Sequence, residues 1–154
     1  MIPYHFVTGV GKPLVLANSL GSNLDMWDGQ AEELARHFTL IRFDARGHGE
    51  SAVPPGPYAI EDFGRDVLDL LNHLSLESAH VAGISMGGMI GQTIAIEHPD
   101  RIRSLVSMCS TTGSRWVGQP TFKVFAHMLS DAPRERDAFI KRIQRTYALI
   151  GSPA

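Results

Sequence analysis

The run His80-Val81-Ala82-Gly83-Ile84-Ser85-Met86-Gly87-Gly88-Met89-Ile90-Gly91 constrains the fold more than any other part of the chain. Apolar and β-branched residues lead into a single serine with a glycine two places to either side, and a helix-compatible run follows. This is the pattern of a strand that turns sharply into a helix, with Gly-x-Ser-x-Gly at the corner. A hydroxyl at such a corner projects from the end of a sheet only if the backbone bends abruptly into a strained conformation. Gly83 and Gly87 fall where a side chain would crowd the neighbouring strand or helix. Ser85 is therefore the candidate nucleophile. The N–H of Met86, at the start of the new helix where the dipole favours negative charge, is a candidate oxyanion donor. A glycine-rich turn around a buried hydroxyl would share the pattern, so the flanking elements must decide.

Those elements alternate. Tyr4–Val7 and Leu14–Ala17 read as strands, and the consecutive apolar residues of the second predict cover on both faces. The loop Asn18-Ser19-Leu20-Gly21-Ser22-Asn23 follows, at the strand end where open α/β sheets place their ligands. The backbone N–H of Leu20 is the candidate for the second oxyanion donor. A helix is predicted over Trp27–His37, with Trp27, Ala31, Leu34 and Phe38 near one face. The strand Thr39–Phe43 leads into Asp44-Ala45-Arg46-Gly47-His48-Gly49-Glu50-Ser51. There the glycines make a turn, Asp44 and Arg46 pair with each other or with backbone, and His48 reads as structural.

The spacing of Phe63, Val67, Leu70, Leu71 and Leu74 predicts a half-buried helix over Ile60–Leu74, with Arg65, Asp66 and Asp69 on its wet side. Ser78–Ala82 feeds the corner. The helix Met86–Glu97 is apolar enough to be buried nearly all round and stops near His98-Pro99-Asp100. Ile102–Cys109 is the next strand. Strands alternating with helices imply an α/β fold, a mostly parallel sheet flanked by helices on both faces. After Ser110-Thr111-Thr112-Gly113 the character changes to two helices, Phe122–Leu129 and Pro133–Ile150. Pro133 suits a first turn, and Ile140, Ile143, Tyr147 and Ile150 form a stripe. The expected organisation is a core over residues 1–113 and the start of an incomplete helical cap over 114–154, a lid for the site.

Composition closes off other classes. A net charge of −2 over 154 residues, 19% of them charged, gives no electrostatic case for nucleic acid or an anionic membrane. No apolar run reaches the roughly 20 residues of a membrane helix, and no charged, apolar leader precedes Pro3. The single cysteine, Cys109, excludes an internal disulfide and suits a reducing compartment, so the cytoplasm is the expected setting. Nothing shows metal-ligand spacing, and Gly83–Gly88 lacks the Gly-x-Gly-x-x-Gly of a dinucleotide fold. No cofactor and no metal are expected.

Taken together, Asn18-Ser19-Leu20-Gly21, Asp44-Ala45-Arg46-Gly47-His48-Gly49-Glu50-Ser51 and Gly83-Ile84-Ser85-Met86-Gly87-Gly88 resemble the α/β-hydrolase superfamily. The nearest likeness is to its carboxylesterase and 3-oxoadipate enol-lactonase-like branch. The tail, Ser110-Thr111-Thr112-Gly113 and Tyr147-Ala148-Leu149-Ile150-Gly151-Ser152-Pro153, resembles carboxylesterases of the aclacinomycin-methylesterase type. The resemblance implies Ser85 as nucleophile, Leu20 and Met86 as oxyanion donors, and a small ester as substrate, with an enol-lactone or a perhydrolase or haloperoxidase-type reaction as alternatives. It also implies a triad in the order serine, acid, histidine, with the last two on later loops that this chain does not contain. Asp100 follows the corner helix, about 18 Å away at 1.5 Å per residue, and cannot serve as the acid. The expected fragment exposes an apolar sheet edge and so oligomerises, binds a complementary C-terminal polypeptide or is marginally stable, and a catalytically inactive oligomerising or binding module is the alternative to an enzyme.

Overall fold

The computed structural model describes residues 1–114, 116, 121–131 and 133–150. Two compact units divide the chain, Met1–Ser114 and Arg115–Ala154. The first contains β1 (His5–Thr8), β2 (Lys12–Ala17), a 3-10 turn (Leu24–Trp27), α1 (Asp28–Ala35) and β3 (Phe38–Phe43). It continues with α2 (Ile60–His73), β4 (Ala79–Ile84), α3 (Met86–Glu97) and β5 (Ile102–Met108). The second unit contributes α4 (Phe122–Leu129) and α5 (Arg136–Ile150).

The five strands form one sheet in the order β1-β3-β2-β4-β5. Only β1 runs antiparallel, against β3; the other pairs are parallel. The fold is thus α/β with a mostly parallel sheet, as the alternation of elements predicts. Strand β2 shows why both faces must be covered. Its Val15 and Ala17 join Ile41, Phe43, Val67, Leu70, Leu71, Val81, Ile90 and Ile94 in one buried cluster, under α2 and α3. Its Leu14 and Leu16 join Leu40 and Trp27 in a second cluster. Partly buried Ala31, Leu34 and Phe38 pack against that second cluster. Each such fully buried aliphatic side chain stabilises the fold by about 1.5–3 kcal/mol relative to exposure.

In the first unit two helices differ in burial from expectation. In α2 the aliphatic stripe is buried, but Asp66 is buried with it, at 1% exposure rather than on the wet side. Arg46 explains this: its Nε and Nη2 each donate to the Asp66 carboxylate at 2.7 Å. The guanidinium also lies 5.6 Å over the Tyr58 ring and 5.9 Å over Phe63. A buried charge is tolerated when it is paired in this way. The helix α3 is not buried all round either. Gly87, Gly88, Ile90, Gly91 and Ile94 face the interior, while Ile96 is 80% exposed.

In the second unit α5 begins at Arg136, not at Pro133. The Glu135 carboxylate accepts the N–H groups of Asp137 and Ala138 at 2.9 and 2.8 Å and so caps the helix. Those bonds hold the Glu135 carboxyl below its ordinary range. Ile140, Ile143, Tyr147 and Ile150 are exposed, so the stripe read from their spacing is not a buried one. Gly151, Ser152 and Pro153, which carry part of the tail's resemblance, lie outside the described residues.

The start of α2 yields a pH prediction. Asp62 accepts the Ala59 N–H at 2.9 Å. Its carboxyl is held below the ordinary 3.8, first by that bond and further by Arg46 and Arg65, against a desolvation effect that raises it. A lowered folded-state value means stability present above the unfolded value and lost as pH falls through the folded one. Asp62→Ala should therefore lower the melting temperature at pH ~7, with the difference from the native chain closing below pH ~4. A difference that stays constant through the acid range would show that the charge is not the cause.

Candidate active site

The parallel register sets the site. Ala17 of β2 pairs with Gly83 of β4, and Ile84 pairs with Met108 of β5. The loop after β2 and the corner after β4 therefore leave the same end of adjacent strands. At the corner Ser85 takes φ 55° and ψ −117°, a left-handed backbone that only glycine adopts without strain. Its N–H donates to the Met108 carbonyl at 2.9 Å. Its carbonyl accepts the N–H groups of Gly88 and Met89 and the Ser110 hydroxyl, the last at 2.9 Å. The strained residue is thus clamped from β5, from α3 and from the loop after β5.

Glycine is required at two of these positions by backbone proximity. A Cβ on Gly83 would lie 2.2 Å from the Gly87 carbonyl carbon and oxygen. One on Gly87 would lie 2.1 Å from the Ala17 carbonyl oxygen and 2.9 Å from that of Asn18. The start of α3 therefore packs directly on the backbone where β2 becomes the loop carrying Leu20. The side chain of Ser85 is half-buried, and no hydrogen-bond partner of its hydroxyl occurs among the described residues. Met86 is the first residue of α3, and its N–H sits among the unsatisfied donors of a helix start. Leu20 is 65% exposed.

Several polar residues around the loop were not legible as site residues. Asn18, 2% exposed, donates to the Phe43 carbonyl at 2.7 Å and accepts the Trp27 indole N–H at 2.8 Å. It ties the exit of β2 to the exit of β3. Asp44, also 2% exposed, does not pair with Arg46. Its two oxygens accept the backbone N–H groups of Leu24 and Glu50, at 2.7 and 2.8 Å. The backbone alternative is the one adopted, and Arg46 goes to Asp66 instead. His48 accepts the Gly21 N–H at Nε2, 3.0 Å away, and contacts the Arg46 carbonyl through Nδ1, also at 3.0 Å.

The other histidines are engaged elsewhere or lie at the surface. His5 bonds the Pro3 carbonyl, His80 the Ser104 hydroxyl, and His37 lies 3.5 Å from Glu33. His127 bonds the Thr146 hydroxyl within the second unit. Neither His73, 5.6 Å from the His5 ring, nor exposed His98 hydrogen-bonds Ser85 among the described residues. No cluster of three or more potential metal ligands occurs among them. No described helix is long and apolar enough to cross a membrane.

Known proteins similar to this chain are numerous. The chain is 45% identical over 93 residues to 3-oxoadipate enol-lactonase 2 of Acinetobacter baylyi, which covers 60% of this chain and 35% of that protein. The crystal structure of the enol-lactonase from Burkholderia xenovorans LB400 superposes with a TM-score of 0.67 at 40% identity, over 70% of this chain and 43% of that one. A thermophilic esterase from Thermogutta terrifontis superposes equally, with a TM-score of 0.67 at 34% identity, over 70% and 40%. The chain thus spans about a third of the length of the first relative. The family model described as alpha/beta hydrolase fold matches residues 12–147, and the chain belongs to that family of hydrolases.

Proposed function

We propose that this chain carries the nucleophile portion of a serine hydrolase that cleaves a small carboxylic ester. The observation that supports it is the backbone of Ser85, held at φ 55° between β4 and α3 with its hydroxyl free of partners among the described residues. Retaining a strained serine at a sheet end makes physical sense when its oxygen must reach a ligand. In this reading the Ser85 Oγ attacks the ester carbonyl carbon, and the carbonyl oxygen becomes an oxyanion. The N–H groups of Leu20 and Met86 stabilise that oxyanion, aided by the positive end of α3. An imidazole takes the serine proton and returns it to the leaving alcohol; water then cleaves the acyl-enzyme. A cyclic enol ester is the second reading, favoured by the likeness to two enol-lactonases. Its chemistry is the same, because a lactone is an internal ester.

The test is covalent. In imidazole buffer, which supplies the base that this proposal assigns to another polypeptide, a fluorophosphonate probe should modify the chain, with the adduct mapped to Ser85; a chain that stays unmodified there would overturn the reading. Hydrolysis of an enol-lactone in preference to an open-chain ester would favour the second reading.

The imidazole and its acid belong, in this proposal, to a polypeptide that pairs with β5. That strand ends the sheet, and its Val106 is 53% exposed. An edge with unpaired N–H and C=O groups templates another strand. Light scattering on the 16.9 kDa chain alone should therefore report a dimer or larger species; a monodisperse monomer would count against self-association through that edge. The single cysteine, Cys109, is exposed and unbridged, and we take a reducing cytoplasm as the setting.

A further inference from the structure

We propose that His48 is a positioning residue of this site, holding the Leu20–Gly21 peptide so that the Leu20 N–H remains available to an oxyanion. The inference rests on the hydrolase reading above. Its basis is the pattern of amides in the loop. The Ser19 N–H is bound to the Met26 sulfur at 3.4 Å, and the Gly21 N–H to His48 Nε2 at 3.0 Å. The Leu20 N–H between them has no acceptor among the described residues. Tying both neighbouring amides leaves the middle one as the free donor.

The Ser22 N–H and hydroxyl bind the Ser19 carbonyl and close the turn, but that closure is compatible with either orientation of the Leu20–Gly21 peptide, so it does not select one without His48. Gly21 has φ +74°, and a Cβ there would meet nothing within 4 Å. Its peptide is therefore free to rotate, because glycine pays no steric penalty in either orientation. Rotation would swing the Leu20 carbonyl round, and a lone pair beside the developing oxyanion repels it where an N–H attracts it. The imidazole removes that freedom. Accepting at Nε2 requires that Nδ1 carry the proton, and Nδ1 then donates to the Arg46 carbonyl. Arg46 is itself anchored on buried Asp66. The chain of contacts runs from a buried ion pair, through the turn after β3, to one amide of the loop.

Three variants of the 154-residue chain test this by the rate of fluorophosphonate labelling at Ser85 in imidazole buffer, which supplies the missing base. His48→Ala loses the acceptor. His48→Asn keeps a donor for the Arg46 carbonyl but is too short to reach Gly21. His48→Gln places an amide oxygen near the Nε2 position and can accept the Gly21 N–H. Expected are rates lowered about 10- to 100-fold in the alanine and asparagine variants and restored to within about threefold by glutamine, as for a displaced oxyanion donor. In the native chain, 15N spectra should show the Nδ1–H tautomer, with coupling from Nε2 to the Gly21 amide. Native labelling together with an unchanged rate in His48→Ala would overturn this inference and leave the hydrolase reading standing. Equal losses in all three variants would also overturn it, since His48 would then act through packing. No label on the native chain would overturn both.

Discussion

Replacing Ser85 by alanine should abolish fluorophosphonate labelling and leave the fold intact, whereas replacing it by glycine should abolish labelling and also stabilise the chain. The two variants separate the chemistry of this position from its cost. Both lack the hydroxyl, so neither can form the phosphonyl adduct. They differ in the backbone. A residue with a Cβ held at φ 55° costs roughly 1–3 kcal/mol. Alanine keeps that cost; glycine removes it but gives back about 0.5–1 kcal/mol through its freer unfolded chain. A net gain of about 1 kcal/mol is expected for Ser85→Gly, read as a higher denaturation midpoint at unchanged slope. A glycine variant less stable than the native chain would show that the corner is not strained. Persistent labelling of Ser85→Ala would move the reactive group elsewhere.

Gly87→Ala should be among the most damaging single-methyl changes available to the first unit. The added carbon would stand 2.1 Å from the Ala17 carbonyl oxygen and 2.5 Å from its carbon. These are main-chain atoms of a buried central strand, without a flexible tip that could move aside. The start of α3 would have to lift off β2, separating the corner from the loop that carries Leu20. A loss of about 3 kcal/mol or more is expected, at or above the upper end of ordinary overpacking. Gly29→Ala is the control, because nothing lies within 4 Å of its added carbon and the residue is helical. It should be neutral or stabilising by up to about 1 kcal/mol. Equal losses in the two variants would mean that the cost lies in glycine replacement as such, not in the contact with β2.

How far the fold could be read in advance depended on the range of the interaction. Local periodicity located the strands, the helices and the corner at Ser85, because each follows from the spacing of side chains along a few turns or pleats. The same reasoning put Asp66 on the wet side of α2, since its place on the helical wheel says nothing of Arg46, twenty positions away in the chain. It left Asp44 two choices, and the decision came from amides at Leu24 and Glu50 that lie close only once β3 is paired. For the apolar helix α3, composition overstated burial, because only one side meets the sheet and Ile96 is left to solvent.

The amino-acid order by itself determined an α/β alternation and a serine flanked by glycines at a strand-to-helix corner. Those features are set by residues adjacent in the chain, through steric freedom and side-chain period. Only the tertiary structure decided what surrounds that corner: Gly87 against the Ala17 carbonyl, Asn18 spanning from Phe43 to Trp27, and His48 reaching the Gly21 amide. Such contacts join residues that come together through parallel strand pairing, and pairing is a property of the folded sheet that no short stretch of sequence encodes.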